Sequence, residues 1–160
     1  MATHPPLSPK LLKQPVHLLA LGFGAGLVPK VPGTAGTLLA IPLYIALVHL
    51  PWFVYLAITV LLFGAGVWIC RESARRLGVH DHPGIVFDEI VGYLVTMFLV
   101  PTGWVWIAAG FGLFRFFDIV KPWPIRWLDK HVQGGLGIMA DDLLAGLFSL
   151  IGLQVIAYLL

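Results

Sequence analysis

Four long stretches of this chain carry no charged residue, and they set the first reading of its architecture. Trp52–Cys70 is an uncharged run of 19 residues. At about 1.5 Å per residue, a helix of that length crosses a hydrocarbon core of about 30 Å. Thr34–Leu50 is a second run, interrupted at Pro42, and Leu143–Leu160 is a third. The fourth, Ile90–Phe114, has Pro101-Thr-Gly103 near its middle. Proline and glycine so placed favour a turn. The pattern therefore predicts two short helices in a hairpin, Phe87–Val100 and Trp104–Phe117. Val16–Leu27 is apolar but too short to span, and its glycines suggest an interfacial or re-entrant segment. The predicted fold is all-α: an integral membrane helical bundle of about five membrane helices plus that short N-terminal segment. Residues 1–160 form one domain, with 1–15 as a flexible cytoplasmic tail.

Composition strengthens the membrane reading. The chain is 59% hydrophobic and 11% charged, against about 25% charged residues in soluble domains. Lys10 and Lys13 followed by Val16–Leu27 have the outline of a signal peptide. No small-x-small cleavage site follows, so the segment reads as part of the mature protein. Cys70 is the single cysteine, which leaves no internal disulfide. His80 and His82 are the closest histidine pair and lack the further ligands a zinc site needs. The net charge of +2 is small, and no nucleic-acid partner is expected.

Where the charges lie matters more than their sum. All fall within residues 10–30, 71–89 and 115–142, whereas the links at Leu50-Pro51 and Val100-Pro-Thr-Gly103 have none. With five spans arranged as above, every charged segment reaches the same face. Lysine and arginine mark that face as cytoplasmic, and Trp52 and Trp104 fall at the opposite interface. A single helix over Ile90–Phe114 would instead divide the acids across the bilayer.

The acids then become candidates for chemistry. Asp88-Glu89 and Asp141-Asp142 each precede a long apolar run, as if each pair began a helix. One acid in a first turn serves the helix dipole. Two adjacent acids repel, and capping leaves the second unexplained. Two such pairs suit a divalent cation such as Mg²⁺, which prefers carboxylate oxygens. Neighbouring helical residues point about 100° apart, so one of each pair is expected to face a shared site. Arg115, Asp118, Lys121 and Arg126 follow in a third polar segment. They read either as a salt bridge with a positive flank or as an anion clamp. The glycine-rich stretch from Gly22 to Thr37 matches neither a dinucleotide fingerprint nor a Walker A loop. It offers Lys30, Thr34 and Thr37 as anion contacts, or else close helix packing through small residues. His82, just before Asp88, is either a loop residue or a proton donor.

Four blocks together resemble the phosphatidylglycerophosphatase A family. They are "GFGAGLVPKVPGTAGTLLAIPL" from Gly22, "GVHDHPGIVFDEIVGY" from Gly78, "FRFFDIVKPWPIRWLDKHVQGG" from Phe114 and "GLGIMADDLLAG" from Gly135. Pro83-Gly84 departs from the glycine and small residue expected there. The resemblance implies a Mg²⁺-dependent lipid phosphatase of the bacterial inner membrane. It would be multi-pass, with its active site at the cytoplasmic face. Its substrate would be phosphatidylglycerophosphate, and its other partners membrane lipids. On this expectation Asp88, Glu89, Asp141 and Asp142 hold the metal. Lys30, Thr34, Thr37, Arg115, Lys121 and Arg126 contact phosphate. Asp88, Asp118 and His82 serve catalysis. The signatures of the CDP-alcohol phosphotransferases and of the histidine-based lipid phosphatases are absent. A small transporter is the non-enzymatic rival, since intramembrane acids also mark ion paths. Its charges should lie near the midplane rather than at helix ends.

Overall fold

Helices form where the apolar runs lie; Gly78 and Gly103 bound two of them, whereas Pro42 stays inside another. The computed structural model describes His4 and residues 6–160, and among them every regular element is helical. Residues 1–3 and 5 of the expected tail lie outside the described residues. The rest of that tail holds a 3₁₀ turn, Pro9–Lys13, begun at Ser8, whose Oγ accepts from the Lys10 amide at 3.3 Å. There follow α1 (Pro15–Ala20), a kinked 3₁₀ stretch (Gly22–Leu27), α2 (Pro32–Leu47), α3 (Trp52–Leu77) and α4 (Phe87–Thr96). Then come α5 (Trp104–Val120), α6 (Ile125–His131) and α7 (Gly134–Leu159).

The hairpin expected over Ile90–Phe114 is present as α4 and α5. Gly103 makes the turn at φ 133°, and the Tyr93 hydroxyl donates to the Ile107 carbonyl at 3.1 Å, pinning the two helices together. Val16–Leu27 divides between α1 and the 3₁₀ stretch. Two helices, α3 and α7, are long and apolar enough to cross a membrane. In each, 28% of the most apolar window is buried within the protein. Trp52, Phe53, Val60, Leu61 and Trp68 of α3 face outward. Exposed apolar surface on that scale marks contact with lipid or protein. The remaining helices are shorter, and α4, at ten residues, is about 15 Å long.

Helix α4 ends at Thr96 instead of Val100 and α5 runs to Val120 instead of Phe117, and two boundaries depart further from the sequence reading. Helix α3 continues past Cys70 to Leu77, where Gly78 caps it at φ 70°. Helix α7 begins at Gly134, not near Leu143. Asp141 and Asp142 therefore lie about two turns inside it, where the dipole of a helix start no longer acts. Capping cannot explain this pair. Nor do all the acids sit at helix ends, so that contrast with an ion pathway fails for Asp141 and Asp142.

Helix α7 is the centre of the bundle and packs on α3, α4, α5 and α6. Its seam with α4 depends on glycine. A Cβ at Gly146 would come 2.5 Å from the Gly92 carbonyl, and one at Gly92 would come 2.7 Å from the Phe114 ring. Small residues let helix backbones approach where no solvent drives them together. The start of α4 meets α3 at mid-length and α7 in its second turn, as Gly66 lies against both Phe87 and Met139. Asp142 is the ninth residue of α7, so it lies about 12 Å in from that helix's first residue. The acids are recessed into the bundle.

Gly146→Val should lower the thermal unfolding temperature in detergent, an overpacking cost of about 1–3 kcal/mol. Gly64→Ala should hold or raise it, because a Cβ at Gly64 meets nothing within 4 Å and alanine favours helix by up to about 1 kcal/mol. Equal unfolding temperatures for Gly146→Val and wild type would disprove the tight seam.

Candidate functional site

The α4–α7 seam brings carboxylates from both helices to one point. Oxygens of Asp88, Glu89 and Asp142 lie within 4.8 Å of one another. Asp88 and Glu89 occupy the first turn of α4. Glu89 and Asp142 are buried, at 9% and 2% exposure. The turn before α4 is held by a hydrogen bond that the Val86 amide donates to the Ala20 carbonyl at 2.8 Å. Helix α1 is in turn tied to α3 by His17 Nδ1 and Ser73 Oγ, 2.9 Å apart.

Helix α5 supplies the first counter-charge. Arg115 Nη1 hydrogen-bonds Asp118 one turn later and lies 3.9 Å from Glu89 Oε1. Gly33, in the first turn of α2, closes the other side. A Cβ there would strike Glu89 Oε1 and approach the Arg115 guanidinium at 3.1 Å. The first turn of α2 is thus bare because the charged groups occupy the space.

Lys121 supplies the second. It caps α5 in the left-handed conformation. Its Nζ lies 2.5 Å from Asp141 Oδ2 and 3.1 Å from Asp129 Oδ1. Burial alone would lower this ammonium's pKa, but the two carboxylates outweigh that and hold it above the ordinary lysine range. Lys121 stays charged at any working pH. Asp141 and Asp142 therefore part company: Asp142 joins the cluster, and Asp141 holds Lys121.

Several buried atoms here lack a protein partner. They are Asp88 Oδ1, Glu89 Oε2, Asp141 Oδ1, Asp142 Oδ2 and Arg115 Nε. A buried polar group without a partner costs about 1–3 kcal/mol, and more when charged. Four unpaired carboxylate oxygens on two adjoining turns, one of α4 and one of α7, suit a hard divalent cation. An unpaired guanidinium N–H beside them suits an anion.

The other expected residues lie further out. Thr37 is buried and donates to the Gly33 carbonyl at 2.9 Å, so its hydroxyl serves the α2 backbone. Thr34 is partly buried beside Gly33. Lys30 is exposed and lines a cleft with His82, Pro83 and Gly84 that contains none of the clustered carboxylates. His82 Nδ1 accepts from the Gly84 amide at 3.0 Å. Arg126 is on α6, in a different cleft with Trp123 and Lys130. Two residues of the site were not singled out from the sequence, Gly33 and Asp129. Asp129 is marked only as an acid in a short polar stretch, and Gly33 is one of many glycines in its segment.

An apolar cavity of about 440 Å³ lies between α3, α4 and α7, bounded by Tyr55, Phe63, Val95 and Leu147. Its two hydroxyls are engaged elsewhere, Tyr55 with the Leu94 carbonyl and Thr59 with the Tyr55 carbonyl. It offers nothing to a phosphate.

Comparison with known proteins identifies the family. The model of the family Phosphatidylglycerophosphatase A matches residues 18–157. The chain is 50% identical over 139 residues to the phosphatidylglycerophosphatase A of Escherichia coli K12, covering 86% of this chain and 81% of that protein. It is 43% identical over 160 residues to the phosphatidylglycerophosphatase A of Haemophilus influenzae, covering 99% and 98%. A Bacteroides thetaiotaomicron protein, named as a candidate phosphatidylinositol-3-phosphatase, is 42% identical over 142 residues, covering 84% and 88%. No solved structure matches the chain.

Removing one member of the like-charge cluster should stabilise the metal-free protein. In chelator, Asp142→Asn should unfold later than wild type, by about 1–2 kcal/mol. Arg115→Gln should unfold earlier, by about 3–5 kcal/mol, because it strands Glu89 and Asp118. Thermal unfolding in detergent measures both, and the opposite signs are the test.

Proposed function

The chain belongs to the phosphatidylglycerophosphatase A family, a family of phosphatases, and on that premise we propose that it hydrolyses the terminal phosphomonoester of phosphatidylglycerophosphate, giving phosphatidylglycerol and inorganic phosphate. The observation that carries the reading is the pairing of opposite unmet needs at one place. Buried carboxylate oxygens without partners adjoin a buried guanidinium N–H without one. A phosphate bridging to a divalent cation answers both.

We propose Mg²⁺ as the cation, held by Asp88, Glu89 and Asp142. When bound it supplies Lewis acidity and a lowered pKa for coordinated water. The remaining work falls to the chain itself. Arg115 neutralises the phosphate oxygens, and Asp118 fixes the guanidinium in place. Asp141 and Asp129 keep Lys121 charged and aimed at the edge of the site. The hydrogen bond that His82 Nδ1 accepts leaves Nε2 as the protonated nitrogen of the neutral ring. In that tautomer Nε2–H can hydrogen-bond a substrate oxygen. Lys30 and Thr34 extend the anion-facing rim beside α2.

The membrane arrangement is proposed with it. Helices α3 and α7 cross the bacterial inner membrane. Helices α2 and α5, of 16 and 17 residues, are about 24–26 Å long and nearly cross it. Helix α4 makes the fifth embedded helix, starting part-way down from the cytoplasmic side. All lysines and arginines then reach that side, where the substrate's headgroup lies.

The test is phosphate release by the purified protein in detergent. Release should require Mg²⁺, stop with chelator, and fall at least 100-fold in Asp88→Asn, on the scale of lost charge stabilisation. Thermal unfolding should shift upward with Mg²⁺ for wild type and not for Asp88→Asn. Full activity of Asp88→Asn would sink the metal assignment. Phosphatidylinositol 3-phosphate should be run in parallel. It too is a phosphomonoester on an anionic lipid, and preferential release from it would move the substrate assignment to that class.

A further inference from the structure

Helix α6 carries a second positive site, distinct from Arg115. Ile125 anchors it, fully buried, while Arg126, Trp127, Lys130 and His131 face outward. With Val120–Trp123 they line an open cleft of about 490 Å³. Trp123 and Trp127 are 81% and 51% exposed. The Trp127 ring stacks on His131 at 4.8 Å, which steadies it. Among the described residues neither Arg126 nor Lys130 forms a salt bridge, whereas Arg75 and Arg76 are both held by Glu72. Arg126 and Lys130 are one turn apart, so they present two cations along one face.

This cleft adjoins the carboxylates through a single residue. Lys121 forms part of its wall and also bonds Asp141, the neighbour of Asp142 in the cluster. Exposed tryptophans beside exposed cations are what the lipid–water boundary selects. Arginine matches the oxygens of a phosphate bidentately.

We propose that the α6 cleft binds the phosphodiester of the substrate lipid while the terminal phosphomonoester sits at the carboxylate cluster. The inference rests on the phosphatase reading above. It extends that reading by giving the substrate's second phosphate its own cationic seat. Charge complementarity carries it. Arg115 and the cluster answer the monoester, and Arg126 and Lys130 are unpaired cations on the adjoining wall. The indole faces flank the glycerol backbone between the phosphates. Substrate choice follows: a phosphomonoester attached directly to diacylglycerol has no group for this cleft.

The experiment compares phosphatidylglycerophosphate with phosphatidate, which lacks the diester, in neutral detergent micelles. It uses the full chain and the double variant Arg126→Gln/Lys130→Gln. Both positions are exposed, and thermal unfolding checks that the variant folds. The variant should lose about tenfold or more in kcat/KM for phosphatidylglycerophosphate, the scale of one charge-assisted phosphate contact. KM should carry the loss. The preference for phosphatidylglycerophosphate over phosphatidate should shrink by the same factor. An unchanged preference would overturn the proposal, as would a loss seen only when bulk anionic lipid is added. If wild type releases phosphate from neither lipid, the phosphatase reading fails, and binding then tests the cleft alone. Phosphatidylglycerol, which keeps the diester, should shift the tryptophan fluorescence of wild type saturably. The absence of that shift, or its persistence in the double variant, would remove the cleft as a diester site.

Discussion

When all are ionised, three carboxylates within 4.8 Å of one another repel by on the order of 3 kcal/mol per pair at an effective dielectric constant of about 20. Much of the fold answers that repulsion. The glycine seam between α4 and α7 forces the acids together, because Gly92 and Gly146 leave no side chain to hold the backbones apart. Arg115 and Lys121 then stand on either side, each shared between carboxylates. The protein spends packing energy to keep charges where they would not gather unaided. Such stored repulsion is released by the ligand that a site is built to bind.

The supports of the site come from every part of the chain. The turn before α4 rests on α1, which rests on α3. Helix α2 contributes a glycine where any larger residue would displace Glu89. Helix α6 steadies Lys121 through Asp129. Few of these supports touch a reacting group, yet each restricts where one can stand. A site assembled from five helices and a loop tolerates little displacement in any of them.

Much of this was legible in the sequence, because charge and apolarity are strongly segregated along it. The uncharged runs located the helices, and Pro101-Thr-Gly103 divided the hairpin. The scarcity of acids marked Asp88, Glu89 and the Asp141-Asp142 pair. What could not be read is what tertiary contact decides. Gly134-Gly-Leu-Gly137 looks like a loop by propensity, yet it opens α7. Its glycines are required there, since a Cβ at Gly135 or Gly137 would enter the backbone of Val67 or Val132. Which of two adjacent aspartates faces the cluster depends on helix rotation, fixed here by the hydrogen bond that Lys121 donates to Asp141. Arg126 was grouped with Arg115 by nearness in sequence, and the turn at Pro122–Pro124 sends it to another wall. The α6 helix sits between prolines and glycines and has too little apolar length to announce itself.

The brevity of α4 has a consequence for the second reactant. Ahead of its first residue, the loop from Gly78 to Val86 has few regular hydrogen bonds of its own. In the proposed topology that loop descends below the cytoplasmic rim. Lipid cannot satisfy irregular backbone, so such a segment must line protein or water. Gly84, Ile85 and Val86 are buried, so the end of the loop lines protein, and its exposed residues, His80, Asp81 and Pro83 among them, are the ones that would face water. Hydrolysis needs water at the bond being broken, and in the proposed topology that exposed stretch would be the side from which it arrives.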